Sequence, residues 1–516
     1  MKLFNQVKGN YPNRTLFDLS HERKLSCKIG QLIPIMCDEV VPGDTFSVNS
    51  EVLARMAPTL APIMHRMNVY VHYFYVPNRI IWKDWKDFIT GQAELDKIDL
   101  VVPTFKSQHI PSTSNLHDYL GLPKGVSPLE CDGWSQLPFR AYAEIWNEYY
   151  RDQNLQEPIE YNAWTENLAP GVFNNIQTRA WEKDYFTSAL PWAQKTPDGQ
   201  PVGIPVQPNY ITTGSLAIDE TTGGWSNGNL QATSGQINDG TNNVIIKNML
   251  DGQEMEINLN EFRQAHRIQK WFERQARAGS RYVETMLSHY GQKIPDLYDR
   301  PEFLGGGKTP MIISEVVNQN ANQTGETGAS NMPLGDMAGH GIAIGKMNRT
   351  TAKFKEHGWI MGIMSVMPKT AYQDGVHKSF SRKDRFDFFW PEFSNLGEQP
   401  VLNKELYVSD QEISRTEIFG YQSMHAEYKY KGSSVHGDMR DELAYWHMGR
   451  KFERSDTVLL NENFIKCDHT EVSRVFAVPT LPDGTKDYTN KDHLWVQIYN
   501  DVKANRPMPY YGTPTL

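Results

Sequence analysis

The chain has 516 residues, of which 39% are hydrophobic and 22% charged, with a mean hydropathy of −0.56; this is enough apolar material for a large core in water. A formal charge of −9 excludes a protein whose whole surface is a nucleic-acid footprint and leaves room only for local basic patches. The 38 Gly and 30 Pro, spread along the chain, exclude a helical bundle, and aromatic content of 11% favours strands.

Residues 1–20 carry Lys2, Lys8 and Arg14 on little apolar periodicity, which predicts an arm ordered by a neighbour, with these three as candidates for contact with nucleic acid or a neighbouring subunit. No apolar segment resembling a signal peptide opens the chain, and no run reaches the ~18 apolar residues of a membrane span, so no membrane insertion is expected. A β-like pattern runs from Lys24 to Ile35, and Val40–Val48 reads as a turn leading into a strand. Met56–Met67 is apolar but broken by Pro58 and Pro62. NVYVHYFYVP (Asn68–Pro77), almost continuous in aromatic and β-branched residues, predicts a strand buried on both faces. Short helices are predicted over Trp82–Ile89 and Pro138–Tyr150.

The segment Thr178–Trp192 crowds its aromatics just before a stretch from Lys195 to Lys247 that has no Lys or Arg between its ends. Small polar residues alternate there with scattered apolar ones, which predicts short hairpins in an excursion offered to the outside. Asp184, Tyr185, Phe186 and Trp192 are placed as its anchor. Residues 195–260 are taken as a surface insertion, with Thr222, Trp225, Asn227, Asn229 and Asn242 as candidate residues for contact with a glycan or receptor. Trp225 reads equally as an exposed contact and as the small core that lets the excursion fold.

Phe262–Gly291 predicts a long helix, with Gly279 as a bend and Gly291 as its stop. Arg263, Arg267, Lys270, Arg274, Arg277 and Arg281 recur along it. They read as a solvated face paired with Glu273 and Glu284, or as contacts to nucleic-acid phosphates or an acidic neighbouring subunit. His266 shares a stripe with Phe262 and reads as packed. Strands are predicted at Lys308–Val317, Ala352–Pro368, Arg385–Phe393, Glu405–Ile413, Gly420–Gly432, Ser473–Val478 and Leu494–Asn500. A second exposed loop is predicted at 318–345 and an irregular arm at 503–516. Strands far apart in sequence must then pair, which suits a Greek-key sandwich or jelly roll.

No constellation for catalysis emerges. GGGKT (Gly305–Thr309) echoes a phosphate-binding loop, but Glu302 stands where that loop needs Gly, and a strand follows where it needs a helix; the motif reads as a Gly-rich turn. Cys467, Asp468 and His469 are consecutive, so on a strand they cannot converge. The 15 His show no metal-ligand spacing. The four Cys include no C-x-x-C pair, so neither a zinc site nor a disulfide framework is expected, and a reducing place of synthesis fits best. No cofactor is implied.

DYFTSALPW (Asp184–Trp192), YFYVPNRIIW (Tyr73–Trp82) and RPEFLGGG (Arg300–Gly307), in their order and spacing, resemble the major capsid proteins of the Microviridae, small single-stranded DNA phages, in their gokushovirus branch. The resemblance covers essentially the whole chain. It implies a mainly β protein, an eight-stranded antiparallel jelly roll over residues 1–516 with long inter-strand insertions, and no enzymatic activity. It further implies assembly with copies of itself into a T=1 icosahedral shell around circular single-stranded DNA, after synthesis in the bacterial host cytoplasm. Its other implied partners are a small, very basic internal DNA-binding protein and a host surface receptor met by the insertion near 195–260, gathered at the threefold axes. The alternative reading is a jelly-roll glycan-binding lectin or glycan-active protein.

Overall fold

The computed structural model describes residues 13–91, 100–105, 115–123, 133–161, 175–193, 231–233, 236–238, 259–293, 295, 299–317, 337–455, 457–477 and 491–511. It divides into two compact units, Gln194–Ala278 and the remainder of the chain.

The larger unit is built on one antiparallel sheet. Its strands are β1 (Thr15–Asp18), β2 (His21–Cys27), β3 (Ile33–Val40), β4 (Thr45–Met56), β5 (Met67–Pro77), β8 (Glu302–Val317), β9 (Met337–Lys346), β10 (Thr350–Lys353), β11 (Gly358–Pro368) and β14 (Leu494–Arg506). Eight lie on a single hydrogen-bonded path, β1-β14-β4-β9-β8-β5-β11-β3, while β2 pairs with β14 and β10 with β4. The hinge of the path is β8. Its residues Glu302–Met311 pair with β5 and Ile312–Val317 with β9, so one strand passes from one half of the sheet to the other. The architecture is the jelly roll expected from the sequence.

Alternation decides which way each strand faces. On β14, Leu494, Val496 and Ile498 are buried while Trp495 is 50% exposed; on β4, Val48, Val52, Ala54 and Met56 are buried. These side chains meet Ile33 and Ile35 of β3, Val69, Val71, Tyr73 and Tyr75 of β5, and Ile360, Met364 and Val366 of β11 in one main core. A buried polar chain crosses it. Tyr73 Oη donates to Ser50 Oγ (2.7 Å), Ser50 Oγ donates to Asn500 Oδ1 (2.7 Å), and Asn500 Nδ2 donates to the Ile35 carbonyl (3.0 Å). Four strands are thereby fixed in register from inside, because any slip would leave these buried groups unpaired.

The other faces of β5 and β11 are also covered. Phe74, Val76, Met361 and Ile363 pack with Trp82, Leu116, Phe139, Tyr142 and Trp146. The helices here are α1 (Asn78–Ile81), α2 (Trp85–Thr90), α3 (Asn115–Leu120) and α4 (Leu137–Ile145). α4 continues in a wider turn over Trp146–Tyr150, where the Arg151 amide bonds back to the Trp146 carbonyl at 2.9 Å. The double burial predicted for Asn68–Pro77 is observed over Tyr73–Pro77, while Asn68, Tyr70 and His72 are half-buried.

Several expectations are corrected. The Gly305–Thr309 motif is the middle of β8 and not a turn. A Cβ on Gly306 would lie 2.1 Å from the Val71 carbonyl oxygen, so its glycine serves the close approach of β8 to β5. Ala352–Pro368 is two strands, β10 and β11, and the long helix is two, α5 (Leu259–Ala278) and α6 (Tyr282–Tyr290), broken where Gly279 takes φ +101°. Gly291, at φ 69°, does end α6. Strand β9 occupies the end of the predicted loop 318–345, and β14 runs to Arg506, into the predicted arm; β1 lies within the first one. Arg385–Phe393 forms two 3-10 turns, Asn403–Leu406 and Glu412–Thr416 are short helices, and Ser473–Val475 is a 3-10 turn. Only Ile418–Ser423 (β13) of the 420–432 region is a strand; it pairs with β12 (Glu398–Leu402).

Candidate interaction surfaces

The predicted anchor is the best-defined of the sites expected from the sequence. Asp184 Oδ1 accepts from the amides of Phe186 (3.0 Å) and Thr187 (2.9 Å), and its Oδ2 accepts from Tyr372 Oη (2.8 Å), which fixes the turn. Tyr185 and Phe186 are buried in a third hydrophobic cluster with Tyr372, Leu406, Phe419 and Ile465. Phe186 stands edge-on to Tyr185 (5.1 Å) and to Tyr372 (4.8 Å), and Tyr185 Oη donates to Glu405 Oε2 (2.9 Å). Leu190 and Tyr421 exchange both backbone hydrogen bonds at 2.8 Å, tying the segment to β13. Trp192 is half-buried at the end of the described part. Aromatic rings in so short a stretch, with an Asp ahead of them, hold a chain departure firmly because ring burial and local capping act on the same few residues.

Of the insertion itself, β6 (Gln231–Thr233) and β7 (Gln236–Asn238) form an antiparallel hairpin, as the composition predicted for this stretch. Thr222, Trp225, Asn227, Asn229 and Asn242 lie outside the described residues, as do Lys2 and Lys8. Arg14 is exposed just ahead of β1. Arg263, Arg267 and Arg274 are exposed on α5, and so is His266, contrary to its reading as a packed residue. Arg281 leaves the series. It precedes α6 and bonds Glu148 (3.2 Å) and Glu284 (3.3 Å) within the larger unit.

Cys467 is wholly buried in the main core, where burial pushes its thiol well above the usual range. Asp468 caps the next short helix by accepting from the Thr470 amide at 2.9 Å, so the Cys467–His469 triplet is structural. Among the described residues no group of three His, Cys, Asp or Glu could hold a metal ion, and no helix is long and apolar enough to cross a membrane.

Sequence reasoning missed a surface rich in rings. Phe380 (84%), Phe386, Phe388, Phe389 and Trp390 are exposed, and Arg382 lies over Phe388 (5.3 Å) and Tyr428 (4.5 Å). The signal was present in SFSRKDRFDFFW, where aspartates and basic residues interrupt the rings, but it reads as a strand when hydrophobicity alone is counted.

A family model described as capsid protein (F protein) matches residues 5–516. The chain is 31% identical over 603 aligned residues to the capsid protein VP1 of Chlamydia phage 1, spanning 99% of this chain and 97% of that protein. It is 32% identical over 547 residues to the capsid protein VP1 of Bdellovibrio phage phiMH2K and 29% identical over 564 residues to that of Spiroplasma virus 4, each with the same two coverages.

Proposed function

The chain belongs to the capsid protein (F protein) family, a structural family of virion components and not an enzymatic one, and from that premise we propose that it builds a T=1 icosahedral shell around circular single-stranded DNA. The chain is made in the bacterial host cytoplasm and assembles there with copies of itself. At a net charge of −9 it supplies no excess cation to offset a packaged genome, so a small, very basic internal protein shares that task.

The insertion carries host attachment. The observation that supports this most directly is that Gln194–Ala278 is a compact unit of its own, following the clamped segment Asp184–Trp192. A module that begins where the chain is held firmly can vary without disturbing the jelly roll that tiles. Thr222, Trp225, Asn227, Asn229 and Asn242 are the candidates for meeting a receptor.

Two measurements test this reading. Purified particles viewed by electron microscopy are expected to be T=1 shells and to yield nuclease-protected, circular single-stranded DNA; shells of another symmetry or without DNA would count against it. Deleting Thr212–Asn243 is expected to leave particle yield within about twofold of wild type and to abolish most adsorption to host cells. A deletion that stops the chain from folding would instead put the segment in the core and end the attachment role.

A further inference from the structure

A cleft of about 760 Å³ opens in the larger unit between residues 372–380 and 428–436. Its rim carries Tyr428, Lys429, Tyr430 and Lys431 in succession, with Tyr428 at 53% and Tyr430 at 58% exposure, and Phe380 stands opposite at 84%. Lys378 also lines it. Rings left in water to this extent forgo burial that the fold recovers elsewhere, and here they alternate with ammonium groups.

The same walls hold three carboxylates, but each is occupied from behind. Asp184 accepts from Tyr372, Glu405 from Tyr185, and Glu427 from Gln399 Nε2 (2.7 Å) while pairing with Arg382 (3.3 Å). The exposed charge at the mouth is therefore cationic. Gln373 also lines the cleft and is 4% exposed, with Nε2 donating to the Arg440 carbonyl at 3.2 Å.

We propose that this cleft binds a short run of single-stranded nucleic acid, with phosphates on Lys378, Lys429 and Lys431 and unpaired bases against Tyr428, Tyr430 and Phe380. Alternating rings and cations match a strand whose bases and phosphates also alternate, and such stacking needs no particular sequence. The lysines add a local, salt-dependent attraction to a chain that is acidic overall. The assignment rests on the reading that the shell encloses single-stranded DNA, and it adds which surface touches the strand. A second copy of the chain seated in the cleft would have to set carboxylates against the same lysines; the test separates the two.

The full-length chain is titrated with a fluorescent oligo(dT) of about 16 nucleotides, the upper site size for one stacking groove, and anisotropy is read over a range of salt. K429Q/K431Q is expected to weaken binding and to flatten the slope of log affinity against log salt by about 1.4, since each phosphate neutralised on a single strand supplies ~0.7 of that slope. Y428L/Y430L is expected to weaken binding about tenfold or more, and K429R/K431R to bind as the wild type does. A duplex of equal length should compete poorly, because its bases are not free to stack. Binding by both the glutamine and the leucine double variants at wild-type strength, or equal competition by duplex, overturns the cleft. DNA-filled wild-type particles in that case would leave the enclosing role standing, whereas particles without DNA would remove that role itself. Variants that bind DNA as wild type but no longer form particles would make the cleft a contact between copies and likewise overturn the proposal.

Discussion

Arg450 is 1% exposed, yet nothing in its neighbourhood of sequence distinguishes it from a surface arginine. Its Nε and Nη2 donate to Glu471 at 2.8 and 2.9 Å, and its guanidinium lies 4.2 Å from the Phe464 ring centroid. The pair joins the third hydrophobic cluster to the segment that reaches the main core. Replacing Arg450 by Met should cost about 3 kcal/mol, the low end for a broken buried pair because Glu471 keeps 29% side-chain exposure. R450M/E471L should recover most of it, and urea denaturation of both variants reads the difference; an unaffected R450M would show that the pair holds nothing. A lone arginine carries no periodic signal, so this interaction was not legible in the sequence. The capping and ring packing of Asp184–Phe186 are local, because the Asp and its rings are neighbours in the chain.

At the scale of elements, the strands read best are those whose burial alternates or is complete, β5 and the Leu494–Asn500 part of β14 above all. Those misread were apolar enough but had their amides claimed locally. In Arg385–Phe393, Asp384 accepts from the Arg385 amide (2.6 Å), and Asp387 accepts from the amides of Lys383 (2.7 Å) and Asp384 (2.9 Å). Those carboxylates start a turn, and the amides of Asp387, Phe388 and Phe393 then bond back to the carbonyls of Asp384, Arg385 and Trp390, which takes them away from a ladder. Glu405 caps the helical turn Asn403–Leu406 by accepting from the Leu402 amide at 3.1 Å, so the predicted strand 405–413 begins inside that turn. β8 teaches the reverse, since three consecutive glycines read as a turn while the middle one, Gly306, is pressed against the backbone of β5 with no room for a side chain. Gly306→Ala should therefore destabilise the chain by roughly 1–3 kcal/mol, through the displacement of β8 from β5, while Lys308→Ala, on an exposed neighbour, should stay within about 0.5 kcal/mol. Thermal unfolding distinguishes them, and equal effects would mean that β8 can shift freely.

For the molecule as a whole, burial sets the response to acid. His65, His72, His117 and His493 are each pulled from 6.5 to about 4, in every case chiefly by burial. A histidine whose folded value lies below its unfolded one contributes stability that is complete above pH 6.5 and is lost as pH falls through about 4. Glu144, raised from 4.5 to about 7 by burial, acts with the opposite sign over an overlapping window, and burial also raises Asp38, Asp44, Glu148, Asp374, Glu405 and Glu471. The histidine contribution is therefore read as a difference between variants: from pH 7 to pH 5 the urea midpoint of H493F, whose ring can keep the stack on Phe476 at 4.3 Å, should fall less than that of the wild type. Equal pH dependence of the two would mean that His493 is hydrated. The position of β14 has a consequence in time. It lies between β4 and the pair β1 and β2, and its Asn500 bonds a carbonyl 465 residues earlier. During translation, β4 and β2 emerge early and must wait, with unsatisfied edges, for a partner the ribosome supplies only much later. Such a delay makes slow maturation and chaperone dependence the natural state of the nascent chain, and it withholds a finished tile from the growing lattice until β14 has been inserted.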